Sequence, residues 1–346
     1  MIYFNSDYLE GAHPSIMVRL AETNMVQTVG YGEDEYCEAA REKIKTACQA
    51  PEADVHFLVG GTQTNTTVIA AILRPWQGVI SAVSGHINCH EAGAIESTGH
   101  KVITLPTTNG KITAQQVQDY VEWHRNDEST EHIVQPGMVY ISHPTEGGTL
   151  YTKAELTALY DTCRRYGLPL FIDGARLGYG LMAEESDMTL PEIARLCDVF
   201  YIGGTKVGAL FGEAVVIMSE NLKKDFRFIM KQRGGRMAKG RLLGVQFDTL
   251  FTDDLYFKIS RHAIEMAHQI RDIFVSAGYP LLFDSPTNQQ YPIMPDDELA
   301  ILGKSFGYEY WERVDETHSG VRFCASWATK QEHVDALRAA VNALKK

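Results

Sequence analysis

Short apolar runs alternate with amphipathic stretches along this chain. Residues 55–59, 79–83, 100–105, 138–142, 168–173 and 199–203 are rich in β-branched and aromatic residues, the pattern of buried strands. Between them, helical spacing predicts a helix carrying Asn65, Val68, Ile69 and Ile72, and further helices at 114–125, 153–166 and 190–197. Upstream, residues 1–12 read as irregular. His13-Pro14 then opens a helix with Ile16, Leu20 and Ala21 on one face, and a second helix covers 37–49. Residues 214–218 predict a return strand, followed by helices at 221–232, 241–252 and 254–277. After these the pattern changes: short strands at 288–293 and 321–325 flank a helix at 296–303, and a closing helix spans 330–344. Strands alternating with helices predict an α/β fold, a mostly parallel sheet covered on both faces. Residues 1–250 then form the large domain. Residues 251–346 form a smaller α+β domain, against which the N-terminal segment packs.

Composition narrows the class. The chain has 346 residues, 45% hydrophobic and 22% charged, enough for a core of ordinary size. A formal net charge of −12 argues against nucleic acid or an anionic membrane as partner, so an anionic ligand needs a local basic site. Six scattered cysteines give neither zinc spacing nor a disulfide framework. The N-terminus does not read as a signal peptide, and no apolar run is long enough to span a bilayer. The expectation is a reduced, cytoplasmic protein.

The candidate chemistry gathers where strands end. In sheets of this kind ligands collect beyond the carboxyl ends of the strands. Gly61, His86, His143, Asp173 and Lys206 each lie just past such an end. Lys206 follows Gly203-Gly204-Thr205; partly desolvated there, its amine becomes a nucleophile able to form a Schiff base with a carbonyl cofactor. A surface lysine in a glycine turn is the alternative. Asp173 closes an almost wholly apolar strand, where a carboxylate needs a cationic partner; a protonated pyridine nitrogen fits. Arg176 can fork a carboxylate or phosphate, although Asp173 and Arg176 also suit a plain turn with a local ion pair. Gly60-Gly61-Thr62 turns a strand directly into a helix, which exposes N–H groups to a phosphate. It is neither a Walker loop nor a dinucleotide fingerprint, and a simple closing turn reads equally well. His86 and His90 have the spacing of a metal pair but lack a third ligand, so no metal site is expected. His86 can instead stack on a planar cofactor.

Taken together, Tyr31-Gly-Glu-Asp34, His86 with Glu91-Ala-Gly93, Asp173-Gly-Ala-Arg176 and Thr205-Lys206 resemble the low-specificity L-threonine aldolases. These belong to the β-eliminating-lyase branch of the aspartate-aminotransferase-like, fold-type I pyridoxal-phosphate enzymes. The resemblance runs from Ser6-Asp7 to Arg322. It implies pyridoxal 5'-phosphate bound through Lys206, with Asp173 on the pyridine nitrogen, His86 on the ring, and Gly61 and Thr62 on the phosphate beside Thr205. It also implies that Ser6, Arg176 and Arg322 hold the substrate carboxylate, and that His143 lies near the β-hydroxyl. A homotetramer with shared active sites is implied as well, with Tyr31 and Lys231 near the interface. Asn5, Pro144 and Ala238 depart from the family pattern, and so does Gly203-Gly204-Thr205 before the lysine.

The expected reaction is aldol cleavage of threonine-type β-hydroxy-α-amino acids to glycine and an aldehyde, with His143 as base and His86 as second candidate. β-Elimination and transamination on a small amino acid are alternatives from the same cofactor. A non-catalytic binding protein and a nicotinamide dehydrogenase are rivals from other classes.

Overall fold

Each of the six apolar runs becomes a strand of one sheet in the computed structural model, which describes residues 1–345. The first half of the chain forms β1 (Ile2–Tyr3), α1 (Pro14–Thr23), α2 (Glu35–Cys48), β2 (Asp54–Leu58), α3 (Gly61–Ile72), β3 (Gln77–Ala82), α4 (His86–Cys89), β4 (Val102–Leu105), α5 (Ala114–Asn126), β5 (Gln135–Ser142) and α6 (Lys153–Tyr166). Then come β6 (Leu170–Asp173), α7 (Leu177–Met182), α8 (Leu190–Arg195), β7 (Val199–Gly203), β8 (Glu213–Ile217), α9 (Glu220–Lys223), α10 (Phe226–Gln232), α11 (Arg241–Leu250) and α12 (Leu255–Ser276). The last part holds β9 (Gln289–Gln290), β10 (Ile293–Pro295), α13 (Asp296–Leu302), β11 (Phe306–Gly307), β12 (Glu309–Arg313), β13 (His318–Cys324) and α14 (Gln331–Leu344).

The seven-stranded sheet has the order β2-β8-β7-β6-β5-β3-β4. Strand β8 runs antiparallel to both its neighbours, and the other pairs are parallel. Successive side chains of a strand point to opposite faces. Val139 and Ile141 of β5 accordingly enter one core cluster with Ile80, Ile172 and Phe200. Met138 and Tyr140 enter another with Phe171, Val199, Tyr201 and Val215. Both faces are covered, so the strands are apolar throughout.

A four-stranded sheet of β9, β10, β12 and β13 forms the C-terminal domain. Helix α12 serves both bodies. Ile259, Ala263 and Ile264 pack in the main core, while Met266, Ala267, Ile270, Ile273 and Phe274 pack with Val321 and Phe323. Phe4 belongs to that second cluster, and β1 pairs in parallel with β11.

Four expectations are corrected. The start of the chain is not wholly irregular, because β1 finds its partner three hundred residues away. The helix expected at 221–232 splits in two at Asp225, whose φ is +63°. Strand β12 was not expected; it is exposed along most of its length, and its Glu-Tyr-Trp-Glu-Arg sequence carries no burial signal. Helix α7 was not expected either, because Leu-Gly-Tyr-Gly reads as loop. Its Gly178 lets it seat against α12, since a Cβ there would come within 2.4 Å of Ser260 Oγ.

Candidate active site

The turn after β7 presents Lys206. Gly204 and Thr205 N–H both donate to the Gly212 carbonyl at 3.0 Å. Below them Glu213 accepts from Gly204 N–H at 3.0 Å and Thr205 Oγ1 at 2.8 Å, and Tyr179 OH donates to the Lys206 carbonyl at 2.5 Å. Glycine is required at 203, where a Cβ would lie 2.2 Å from the Ala175 carbonyl. Burial pulls the Lys206 amine below the usual lysine range, and the Arg176 charge adds to it; Asp7, Asp173 and Glu213 oppose. Desolvation therefore favours the nucleophilic neutral amine. Glu213, buried beneath, is pushed up to about 7 by its own desolvation.

Asp173 ends β6 on the same face as Phe171. Asn65 Nδ2 donates to its Oδ2 at 3.1 Å and Tyr140 OH at 2.6 Å; Tyr201 OH and Ala175 N–H donate to Oδ1. Burial alone would raise this carboxyl. The charge of His86 and these hydrogen bonds overcome it and hold the pKa below the ordinary value. Asp173 stays a carboxylate.

From Asp173 the hydrogen bonds run in a closed circuit. Asn65 Nδ2 also reaches Glu91 Oε1 at 2.7 Å, and Glu91 Oε1 meets His86 Nδ1 at 2.8 Å. His86 N–H donates to Glu146 Oε1 at 2.9 Å, which also accepts from Ser142 Oγ at 2.6 Å. Ser142 Oγ lies 3.3 Å from Tyr140 OH, which returns to Asp173. Burial works against charge on His86, but Glu91 and Asp173 prevail and raise its pKa. Its ring lies 5.6 Å from that of His90.

Strand parity decides the fate of His143. Tyr140 and Ser142 point to the cavity, so position 143 points to the other face of the sheet. There His143 is buried, its Nδ1 accepts from Tyr151 N–H at 3.4 Å, and its charged neighbours are Asp187 and Lys111. Burial depresses it to about 4, so it stays neutral. The structure does not bring His143 to Lys206 and Asp173, which corrects its expected place as base. The same parity brings Ser142 and, through the following turn, Glu146 to the cavity. Neither was singled out from sequence, although Glu146 stands in the polar turn just past β5.

The opposite wall comes from the ends of the chain. Asp7, fully buried, forks Arg176: Oδ2 to Nε at 2.6 Å and Oδ1 to Nη2 at 3.1 Å. Burial would raise the Asp7 carboxyl; Arg176 and Lys206 lower it to about 2. Arg176 was expected to fork a ligand carboxylate, and two of its nitrogens serve Asp7 instead. Arg322 donates to Gln289 Oε1 at 3.2 Å and the Asn5 carbonyl at 3.0 Å. Its Nε, Ser6 Oγ and Asn5 Oδ1 are buried without a protein partner. Unpartnered buried polar atoms are costly, and the two donors among these, Arg322 Nε and Ser6 Oγ, suit a carboxylate that would satisfy them.

Helix α3 begins at Gly61 with no side-chain cap, so its first-turn N–H groups stay available to an anion. A Cβ at Gly61 would meet Tyr201 OH at 3.2 Å. Thr62 shares a cleft with Arg233, whose Nε is buried without a partner. Arg233 is the basic residue that sequence reasoning missed. Two other arginines are engaged elsewhere: Arg236 pairs with Glu33, and Arg241 donates to the carbonyls of Thr23, Asn24 and Val26.

The chain is similar to several known proteins. A low specificity L-threonine aldolase of Pseudomonas aeruginosa is 28% identical over 337 residues, covering 96% of this chain and 95% of that protein. The structure of a threonine aldolase from Leishmania major superposes with a TM-score of 0.97 at 42% identity, with full coverage of both chains. Aspartate aminotransferase from Thermus thermophilus shares the fold at a TM-score of 0.70 and 13% identity, covering 99% of this chain and 91% of that one. The profile of the beta-eliminating lyases matches residues 4–341, and the chain belongs to that family.

Proposed function

We propose that this protein cleaves threonine-type β-hydroxy-α-amino acids to glycine and an aldehyde, using pyridoxal 5'-phosphate. The observation that carries this reading is Lys206, in the turn after β7, near the buried Asp173, a carboxylate that takes four hydrogen bonds. The similarity to the aldolases of Pseudomonas aeruginosa and Leishmania major supports the choice of reaction.

The residues present fit the cofactor. Lys206 would hold its carbonyl carbon, Asp173 its pyridine nitrogen and the His86 ring its face. The N–H groups of Gly61 and Thr62, with Thr205 and Arg233, would serve its phosphate. When bound, the cofactor supplies an electron sink for the pair released at the amino acid's Cα. The protein's own part is orientation. Ser6 Oγ and Arg322 Nε, both buried without partners, would take the substrate carboxylate, with the remaining nitrogen of Arg176 beside them. Fixing the carboxylate sets which bond to Cα stands ready to break.

A homo-oligomer, by family resemblance a tetramer with shared sites, accompanies this reading. Met17, Val18, Met25, Val26 and Val29 are exposed ahead of Tyr31, whose ring lies 4.6 Å from Lys231 Nζ. An apolar surface of this kind suits contact with a second copy. The domain division at about residue 250 and a cytoplasmic location belong to the same proposal; no helix among the described residues is long and apolar enough to cross a membrane.

The test is a product assay on threonine, allo-threonine, phenylserine and serine with added pyridoxal phosphate. Glycine and the matching aldehyde are expected. Pyruvate and ammonia from serine, with no aldehyde from threonine, would replace this reading by β-elimination.

A further inference from the structure

Glu146 is a carboxylate of the cavity with no part in the reading so far. Its position is fixed from two sides. Oε1 accepts from His86 N–H at 2.9 Å and Ser142 Oγ at 2.6 Å, while its backbone carbonyl accepts from Tyr291 OH at 2.8 Å and Gln289 Nε2 at 3.3 Å. Gln289 is also the partner of Arg322, so this turn is tied to the wall that would bind the substrate carboxylate. The hydrogen bonds from His86 and Ser142 both fall on Oε1, and the residue is only partly buried, which leaves Oε2 for a substrate.

The other acids of the site are spent. Asp173 takes four donors, and Asp7 is gripped by Arg176. The Glu91 side chain is wholly enclosed, and Glu213 lies buried under the lysine turn. The histidines fare no better. His143 lies on the far side of the sheet, and His86 is drawn toward its charged form with Nδ1 on Glu91.

We propose that Glu146 is the general base that takes the β-hydroxyl proton of the substrate. The step rests on the aldol reading above. The hydroxyl O–H bond breaks and its proton passes to Oε2. The O–H electron pair becomes the second bond of the aldehyde carbonyl, and the Cα–Cβ pair stays with Cα. One proton returned to Cα completes glycine, so protons balance and no further reactant is needed. Burial raises the Glu146 carboxyl, and Asp173 adds to the shift while Ser142 and His86 oppose; a more basic carboxylate suits proton abstraction near neutral pH.

Glu146→Gln tests the step, because the amide can still accept from His86 and Ser142. Cleavage of threonine is expected to fall by about 10²–10⁴-fold, the usual contribution of a positioned base. Three readouts should hold: the visible band of the bound cofactor, exchange of the glycine α-proton for deuterium, and binding of O-methylthreonine followed through that band. None involves a hydroxyl proton. The acid limb of kcat/KM should vanish in this variant. Asp173, His86, Tyr140 and Tyr151 also face Glu146, and a limb that persists belongs to one of them and overturns the assignment. Loss of glycine exchange or of the cofactor band alongside cleavage makes Glu146 structural, which also overturns it. His143→Asn is expected to cleave threonine like the wild type; a deep loss there beside a fully active Glu146→Gln reverses the two roles. A wild-type protein that makes no aldehyde removes the aldol reading itself and this step with it. A wild type that does, beside an equally active Glu146→Gln, removes the base alone.

Discussion

The floor of the cavity and its far wall are built in opposite ways. The floor comes from one sheet: Gly61 follows β2, Tyr140 and Ser142 lie near the end of β5, Asp173 ends β6 and Lys206 follows β7. The wall joins the two ends of the chain. Arg322 holds the Asn5 carbonyl, Cys324 N–H donates to the Phe4 carbonyl at 2.6 Å, and Asn288 reaches Asp7 at 2.9 Å. Strand parity aims Tyr140, Ser142 and Asp173, and short turns after β2 and β7 place Gly61 and Lys206. The wall exists only once remote segments have met, so its strength rests on a few buried polar pairs.

Breaking the floor should cost most. Lys206→Ala is expected to lower turnover by on the order of 10⁴-fold or more, the scale of losing a covalent nucleophile. Absorbance of the cofactor band and aldehyde release measure it, and a variant as active as the wild type would end the comparison.

Breaking the wall should cost stability first. Asp7→Asn leaves the Arg176 charge buried without its carboxylate, which is expected to destabilise by about 3–5 kcal/mol. Urea unfolding at neutral pH reads this directly, and an unchanged midpoint would show that the clasp adds little.

His143 sharpens the contrast from behind the floor. In the unfolded chain it takes a proton below about 6.5; in the folded protein it does so only near 4. Its contribution is therefore full above pH 6.5 and is lost as pH falls toward 4, at about 1.4 kcal/mol per unit, roughly 3 kcal/mol in all. Thermal or urea unfolding across that range should show a flatter acid side for His143→Asn. His56, buried against Phe226 and likewise depressed to about 4, adds the same tendency and serves as an internal control.

Arg322→Gln should have the smallest effect of the four. Losing a charged hydrogen-bond partner costs about 1.5–3 kcal/mol, or roughly 10–100-fold in KM for the amino acid. Steady-state kinetics would separate this from a change in kcat.

Much of the floor was legible because apolar runs with glycine or polar ends mark buried strands. Lys206, Asp173 and His86 lie where that rule puts them. His143 shows its limit, because a one-residue step at the end of β5 moves a side chain through the sheet. Counting from Tyr140 would have flagged Ser142, but Glu146 lies in the turn beyond β5, where strand parity no longer applies. Arg176 shows a second limit. It was expected to fork a ligand's carboxylate, and the carboxylate it forks is that of Asp7, 169 residues away in the chain. Nothing local predicts such a pairing, and the same holds for Arg233 beside Thr62. Strand β12, exposed on both sides, has no hydrophobic periodicity to read.

The clasp between Asn5 and Arg322 also orders events at the ribosome. The sheet bearing Lys206 is complete in sequence by Ile217, long before β13 leaves the exit tunnel. The wall that faces Lys206 can form only once Arg322 has been made and has met Asn5.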